Sequence, residues 1–176
     1  MRWAITPNGA GNPVGYRGIK NDSDLLPGEF ASTTDPTGKV LADDGTSLRD
    51  PTTAERLAPL KRDRQNYIND RREVAIASGA QFNGWTFDTD ERSVANLTAA
   101  VAFIQAAPDY GFPVPPAISW RDATNVDRAL SPAQLVGLGA AIFTRVQTAH
   151  GIARQLKDAI EAANSEAAIN AIDWPS

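Results

Sequence analysis

Hydrophobic positions are spaced very unevenly along this chain. Over residues 1–51 apolar side chains come singly or in pairs between turn formers, and seven of the 13 glycines and five of the 12 prolines fall there. That density excludes long helices. Gly9-Ala10-Gly11-Asn12-Pro13 and Leu26-Pro27-Gly28-Glu29 read as turns, and Lys39 to Leu48 as a short hairpin reversing at Asp44-Gly45. The segment is expected to be an extended, turn-rich arm. It is either loose, as chain ends tend to be, or ordered by a partner.

From Thr52 the spacing becomes helical. Thr52 and Glu55 have capping-box spacing, and the pattern predicts a helix to about Ser78, with Pro59 bending it or postponing its start and Gly79 stopping it. Leu57, Leu60, Tyr67 and Val74 fall on one stripe, while Arg64 and Arg71 occupy its intervening positions. Lys61, Arg62, Arg64, Arg71 and Arg72, interleaved with Asp63, Asp70 and Glu73, make this the most basic stretch. One reading is a solvated helix laced with local ion pairs; the other is an intersubunit helix whose arginines face carboxylates of another chain.

Gln81-Phe82-Asn83-Gly84-Trp85-Thr86-Phe87 sets Asn-Gly between aromatic residues and predicts a tight hairpin. Ser93 or Asp90 then caps a helix from about Val94 to Ala107, with Val94, Leu97, Val101 and Ile104 on its apolar side and Pro108 closing it. Ala117–Arg121 and Asn125–Ala129 alternate around Asp122-Ala123-Thr124 as a second hairpin, and the two hairpins are expected to pair into one small antiparallel sheet. Ser131-Pro132-Ala133-Gln134 opens a long helix to about Ala163, with a stripe from Leu135 to Ile160. Gly137, Gly139 and Gly151 interrupt it where another backbone could pack closely. Ser165 permits a short last helix ending near Ile172, and Trp174 is expected to fold back as an anchor. The fold class is therefore α+β. It comprises an arm over 1–51 and a domain over 52–176 with a charged helix, two aromatic hairpins and a helical C-terminal half.

Composition narrows the function. A net charge of -4 gives no basic field for nucleic acid or an anionic membrane, and no apolar run approaches the length of a membrane span. With no cysteine, thiolate metal sites and thiol nucleophiles are excluded. His150 is the only histidine, so a multi-histidine metal site is excluded too, and no Gly-x-Ser-x-Gly elbow accompanies it. Asp88, Asp90 and Glu91 form the one dense carboxylate cluster after the arm. Helix capping accounts for it more simply than calcium binding, because Arg92 stands where an oxygen ligand is needed. The expectation is a non-enzyme without cofactor or metal. The four tryptophans read as core or interface anchors rather than as a carbohydrate or peptide groove.

Several stretches together carry a family likeness: Arg62-Asp63-Arg64 with Arg71-Arg72, Phe82 to Asp90 followed by Ser93, Ile118 to Asn125, Leu130-Ser131, and Leu156 to Ile160. In this order, from about residue 61 to 173, the chain resembles a domain of unknown function found in tail-fibre and tail-assembly proteins of tailed bacteriophages and prophages. The interval Pro108 to Pro116 is longer and richer in proline than that pattern, and residues 1–51 lie outside it. The resemblance implies a virion component of the tail region, synthesised in the host bacterial cytoplasm, that joins or decorates a tail, baseplate, neck or fibre. Its partners would be other tail, neck or fibre proteins and further copies of itself, a trimer being the state analogy with fibres suggests. An assembly chaperone absent from the finished particle is the alternative. A cell-wall or polysaccharide hydrolase, a third class, would place turnover on Asp88 or Asp90. Trp3, Tyr16, Phe30, Arg64, Tyr67 and Arg71 are the expected partner contacts.

Overall fold

The structure, a computed structural model, describes residues 2–7, 13–42 and 44–175. It divides into two compact units, Met1–Leu60 and Lys61–Ser176. The division falls inside the first helix, whereas the sequence pattern set the boundary before it. The turn expected at Gly9-Ala10-Gly11-Asn12-Pro13 lies outside the described residues up to Pro13.

The N-terminal unit contains more regular structure than an extended arm. Strands β1 (Arg2–Pro7), β2 (Pro13–Ile19) and β3 (Phe30–Ser32) form an antiparallel sheet in the order β2-β1-β3. Ile5 stands opposite Tyr16 on one side and Phe30 on the other, and it is fully buried. The turn at Leu26–Glu29 is present: the Glu29 amide donates to the Leu26 carbonyl at 3.0 Å, and the Leu26 amide donates to Glu29 Oε2 at 2.7 Å. Arg17 grips the same carboxylate through Nε at 3.2 Å and Nη2 at 2.7 Å, so this turn is tied to β2. Strands β4 (Val40–Leu41) and β5 (Leu48–Arg49) make the expected hairpin. Asp44 Oδ1 accepts from the amides of Thr46 and Ser47, both at 2.8 Å, which fixes its loop.

Helix α1 runs Thr53–Ala77 with Pro59 inside it. Its start follows the capping box: Thr52 N–H donates to Glu55 Oε2 at 2.7 Å and Glu55 N–H to Thr52 Oγ1 at 3.2 Å. Arg49 adds a bidentate pair to Glu55, both contacts at 2.7 Å. Pro59 neither ends the helix nor delays its start.

In the C-terminal unit, β6 (Ala80–Phe82) and β7 (Trp85–Phe87) meet at Asn83 and Gly84, whose φ angles are 51° and 80°. Two successive positive φ values define the tight turn that Asn-Gly favours. Helix α2 spans Glu91–Ala106, begins three residues earlier than expected, and is capped by Asp90. Strands β8 (Ile118–Arg121) and β9 (Asp127–Leu130) form the second hairpin around a five-residue loop, which shifts its second strand two residues along. Helix α3 (Pro132–Ala162) has the full Ser131 and Gln134 capping box, and α4 (Glu166–Ala171) follows.

The α+β architecture with a helical C-terminal half stands. The hairpins, however, remain separate two-stranded ladders. Their backbone link is Ala123 N–H to Thr86 O at 2.9 Å, and it comes from the loop between β8 and β9 rather than from a strand edge.

One core cluster gathers Phe87, Leu97, Leu130, Leu135, Leu138 and Ile142 between α2, α3 and the hairpins. The Phe82 ring lies against Gly137, where an added Cβ would approach it to 3.0 Å, whereas Gly151 faces open space. A side chain rather than a second backbone therefore occupies the first of the expected close approaches. A second cluster holds Ile68 of α1 against Ala153 and Ile160 of α3, with Ile172 and Trp174 packed on it. Trp174 thus folds back as expected. Val74, assigned to the apolar stripe of α1, is instead 58% exposed.

Candidate docking surfaces

The six residues singled out as contacts fall into two groups. Trp3, Tyr16 and Phe30 come together on one face of the N-terminal sheet. Alternation along β1 puts Trp3 on the same side as Ile5, and Tyr16 and Phe30 are the residues opposite Ile5. Trp3 and Tyr16 meet edge to face, with ring centroids 5.7 Å apart. Tyr16 is half exposed, and Trp3 and Phe30 are partly buried. The result is an aromatic patch around a buried isoleucine.

Arg64 and Tyr67 are committed to their own chain. Arg64 Nε donates to the Ile172 carbonyl at 2.6 Å, and Nη2 lies 3.5 Å from Asp173. Its guanidinium covers the Tyr67 ring at 4.3 Å. The Tyr67 hydroxyl donates to Asp173 Oδ1 at 2.6 Å, which raises the phenol pKa and lowers that of the carboxylate. Beside Arg64, Gln65 donates to Glu161 Oε1 at 2.5 Å, and about one turn towards the N-terminus Lys61 donates to the Glu161 carbonyl. The basic side of α1 therefore holds the chain's last segment. Arg71, in contrast, is exposed and adds only a charge at longer range to Tyr67 and Asp173.

A surface that the sequence reading passed over lies between α2 and α3. A groove of about 450 Å³ is walled by Val94, Leu97, Val101, Ile142, Phe143 and Val146, with Thr98 and Gln105 as its polar members. Phe143 is 65% exposed on its rim, and Phe103 is 48% exposed on α2. No charged side chain occurs between Arg92 and Asp109, nor between Arg128 and Arg145. All of α2 beyond its first turn, and the first 13 residues of α3, thus lack charge. A solvent-facing helix pair would ordinarily carry charge on its outer positions. In the sequence this face shows only as a gap in the charge pattern.

Of the candidates for chemistry, Asp88 is exposed and Asp90 has a structural role. Asp90 Oδ1 accepts from Arg92 N and Ser93 N, both at 3.0 Å, so it is the cap of α2. His150 is exposed on α3. The most buried ionisable side chain of the unit, Asp122, is 2% exposed. Its Oδ1 accepts from the Thr124 amide at 2.8 Å, the Thr124 hydroxyl at 2.6 Å and the Val126 amide at 3.0 Å, while Arg128 holds Oδ2. These bonds, led by the Thr124 hydroxyl, lower the Asp122 pKa against the opposing effect of burial. Among the described residues no group of His, Asp and Glu side chains is placed to hold a metal ion, and no helix is long and apolar enough to cross a membrane.

A family model described as a domain of unknown function (DUF4376) matches residues 59–173, about two-thirds of the chain. No curated protein and no solved structure matches.

Proposed function

The chain belongs to the DUF4376 family, and we propose that this member is a structural component of a tailed-phage virion that joins or decorates a tail, baseplate, neck or fibre through protein contacts. The observation that carries the reading is the uncharged α2–α3 face, with its apolar groove and exposed Phe143. Burying one such phenylalanine contributes on the order of 2 kcal/mol, and a groove lined by aliphatic side chains multiplies that contribution when a complementary helix fills it. The joint order of the stretches from about residue 61 to 173, which resembles a domain found in tail-fibre and tail-assembly proteins, supports placing those contacts in a phage tail.

The aromatic patch of Trp3, Tyr16 and Phe30 is a second contact, on the other unit. Two independent anchoring surfaces on one short chain suit an adaptor that meets two neighbours, or one neighbour and a further copy of itself. On this reading the chain binds and does not turn over substrate. Its carboxylates at Asp90 and Asp122 are committed to a helix cap and a loop.

Mass spectrometry of purified virions tests the proposal. Persistent presence of the chain at a fixed ratio to the other tail proteins is expected. Its abundance in infected cells combined with absence from finished particles would overturn the proposal in favour of an assembly chaperone.

A further inference from the structure

Beside the second hairpin lies a polar concavity with an indole in its wall. Asp88, just after β7, Asn96 on α2, Ser119, Trp120 and Arg121 on β8, and Asn125 in the following loop line a pocket of about 300 Å³. That is the lower end of the range for small-molecule sites. Trp120 is half-buried: it packs against the core cluster and also contributes to the pocket.

Of the polar groups around the indole, Ser93 is bonded to Asp90 and Arg121 is paired with Asp127, and the other four are uncommitted. Among the described residues, the side chains of Asp88, Asn96, Ser119 and Asn125 make no hydrogen bond or ion pair within the chain. They offer one carboxylate acceptor, two primary amides that both donate and accept, and one hydroxyl. The Asn125 backbone is held in the left-handed region, with φ 63°, by the loop that Asp122 organises. The backbone that carries this side chain is therefore held by a buried network.

The lining selects among ligand classes. An anion is disfavoured, because Arg121 is already paired with Asp127 at 3.0 Å and Asp88 brings a second negative charge. A metal ion would find one uncommitted carboxylate where it needs several oxygen ligands. An apolar ligand would leave four polar groups without partners. A ring that carries hydroxyl groups at its edge and C–H groups on its faces satisfies both halves of the lining, since hydroxyls both donate and accept and the electron-rich indole face attracts C–H groups. We propose that this pocket is a saccharide subsite that takes one neutral hexose unit of a glycan. The proposal stands independently of the virion reading.

Titration of the ¹⁵N-labelled full chain with D-glucose, D-galactose and N-acetyl-D-glucosamine, each to about 100 mM, tests it by NMR, a single subsite being expected to bind in the millimolar range. At least one sugar should give saturable shifts at the Trp120 indole N–H and the Asn96 and Asn125 side-chain amides. Asp88→Asn and Asn96→Ala remove no intrachain bond, so they should weaken binding about fivefold each with an unchanged melting temperature. Trp120→Phe keeps a ring in the core and should also weaken binding. Absence of saturable shifts with all three sugars, or shifts that Asp88→Asn and Asn96→Ala leave unaltered, would overturn the assignment.

Discussion

Arg128 holds Asp122 Oδ2 at 2.7 Å through both Nε and Nη2, while its guanidinium carbon lies 4.8 Å from the centre of the Trp85 ring. One arginine thereby joins the buried carboxylate in the loop of the second hairpin to the tryptophan of the first. The hairpins share no strand pairing, so this contact and the Ala123 to Thr86 backbone bond add polar links to the core cluster that both hairpins join.

Removing the carboxylate should therefore loosen both hairpins. Asp122→Ala leaves Arg128 without its partner and frees three donors at Thr124 and Val126. A melting temperature about 10 °C lower is expected by calorimetry. Arg128→Lys keeps the charge but loses the two-point grip and the stacking on Trp85, so it should fall between wild type and Asp122→Ala.

Gly79 and Gly84 both have positive φ, at 84° and 80°, yet they should respond differently to alanine. A Cβ at Gly79 would stand 2.7 Å from the Phe87 carbonyl oxygen and 2.7 Å from Thr86 Cγ2, whereas at Gly84 nothing lies within 4 Å. Urea unfolding should show a loss of about 3 kcal/mol for Gly79→Ala. For Gly84→Ala the backbone conformation alone costs about 1 kcal/mol.

How far these features were legible in the sequence depends on how local their causes are. The Asn83-Gly84 turn, the Thr52 and Glu55 box and the Ser131 and Gln134 box are decided within four residues, and each formed where its residues stand. The three-stranded sheet of the N-terminal unit was not legible, because β1 and β3 pair although they are more than twenty residues apart in the chain, and Gly15 and Gly18 interrupt the alternation of β2. Ile68, fully buried, stands beside Tyr67 but off the stripe that starts at Leu57, and it packs against Ala153 and Ile160 of α3, while Val74 on that stripe is exposed. The apolar groove belongs to two helices at once. Only the lack of charge on each could have announced it.

The C-terminal segment should depend on α1. Arg64→Ala removes the bond to the Ile172 carbonyl and the charge beside Asp173. Faster amide exchange across residues 166–174 is expected, with a global loss of about 1–2 kcal/mol. Tyr67→Phe should produce a smaller change of the same kind, since it removes one hydrogen bond.

Acid should weaken the start of α1. The Arg49 guanidinium, followed by the Thr52 amide, lowers the Glu55 pKa to about 2. A carboxyl lowered on folding stabilises the folded state fully above its unfolded value, and that contribution is lost as pH falls through the folded value. NMR titration should place the Glu55 midpoint near 2 in the wild type. In Arg49→Ala it should move up toward the ordinary glutamate range.

The central claim is that the uncharged α2–α3 face is a protein contact. Incorporation of Phe143→Asp into virions, measured as the amount of chain per purified particle against wild type, tests it most directly. Phe143 is 65% exposed, so the substitution should leave the melting temperature of the isolated chain nearly unchanged. Buried in an interface, the same unpaired charge should reduce incorporation more than about tenfold. Particles carrying Phe143→Asp at the wild-type level would contradict the account.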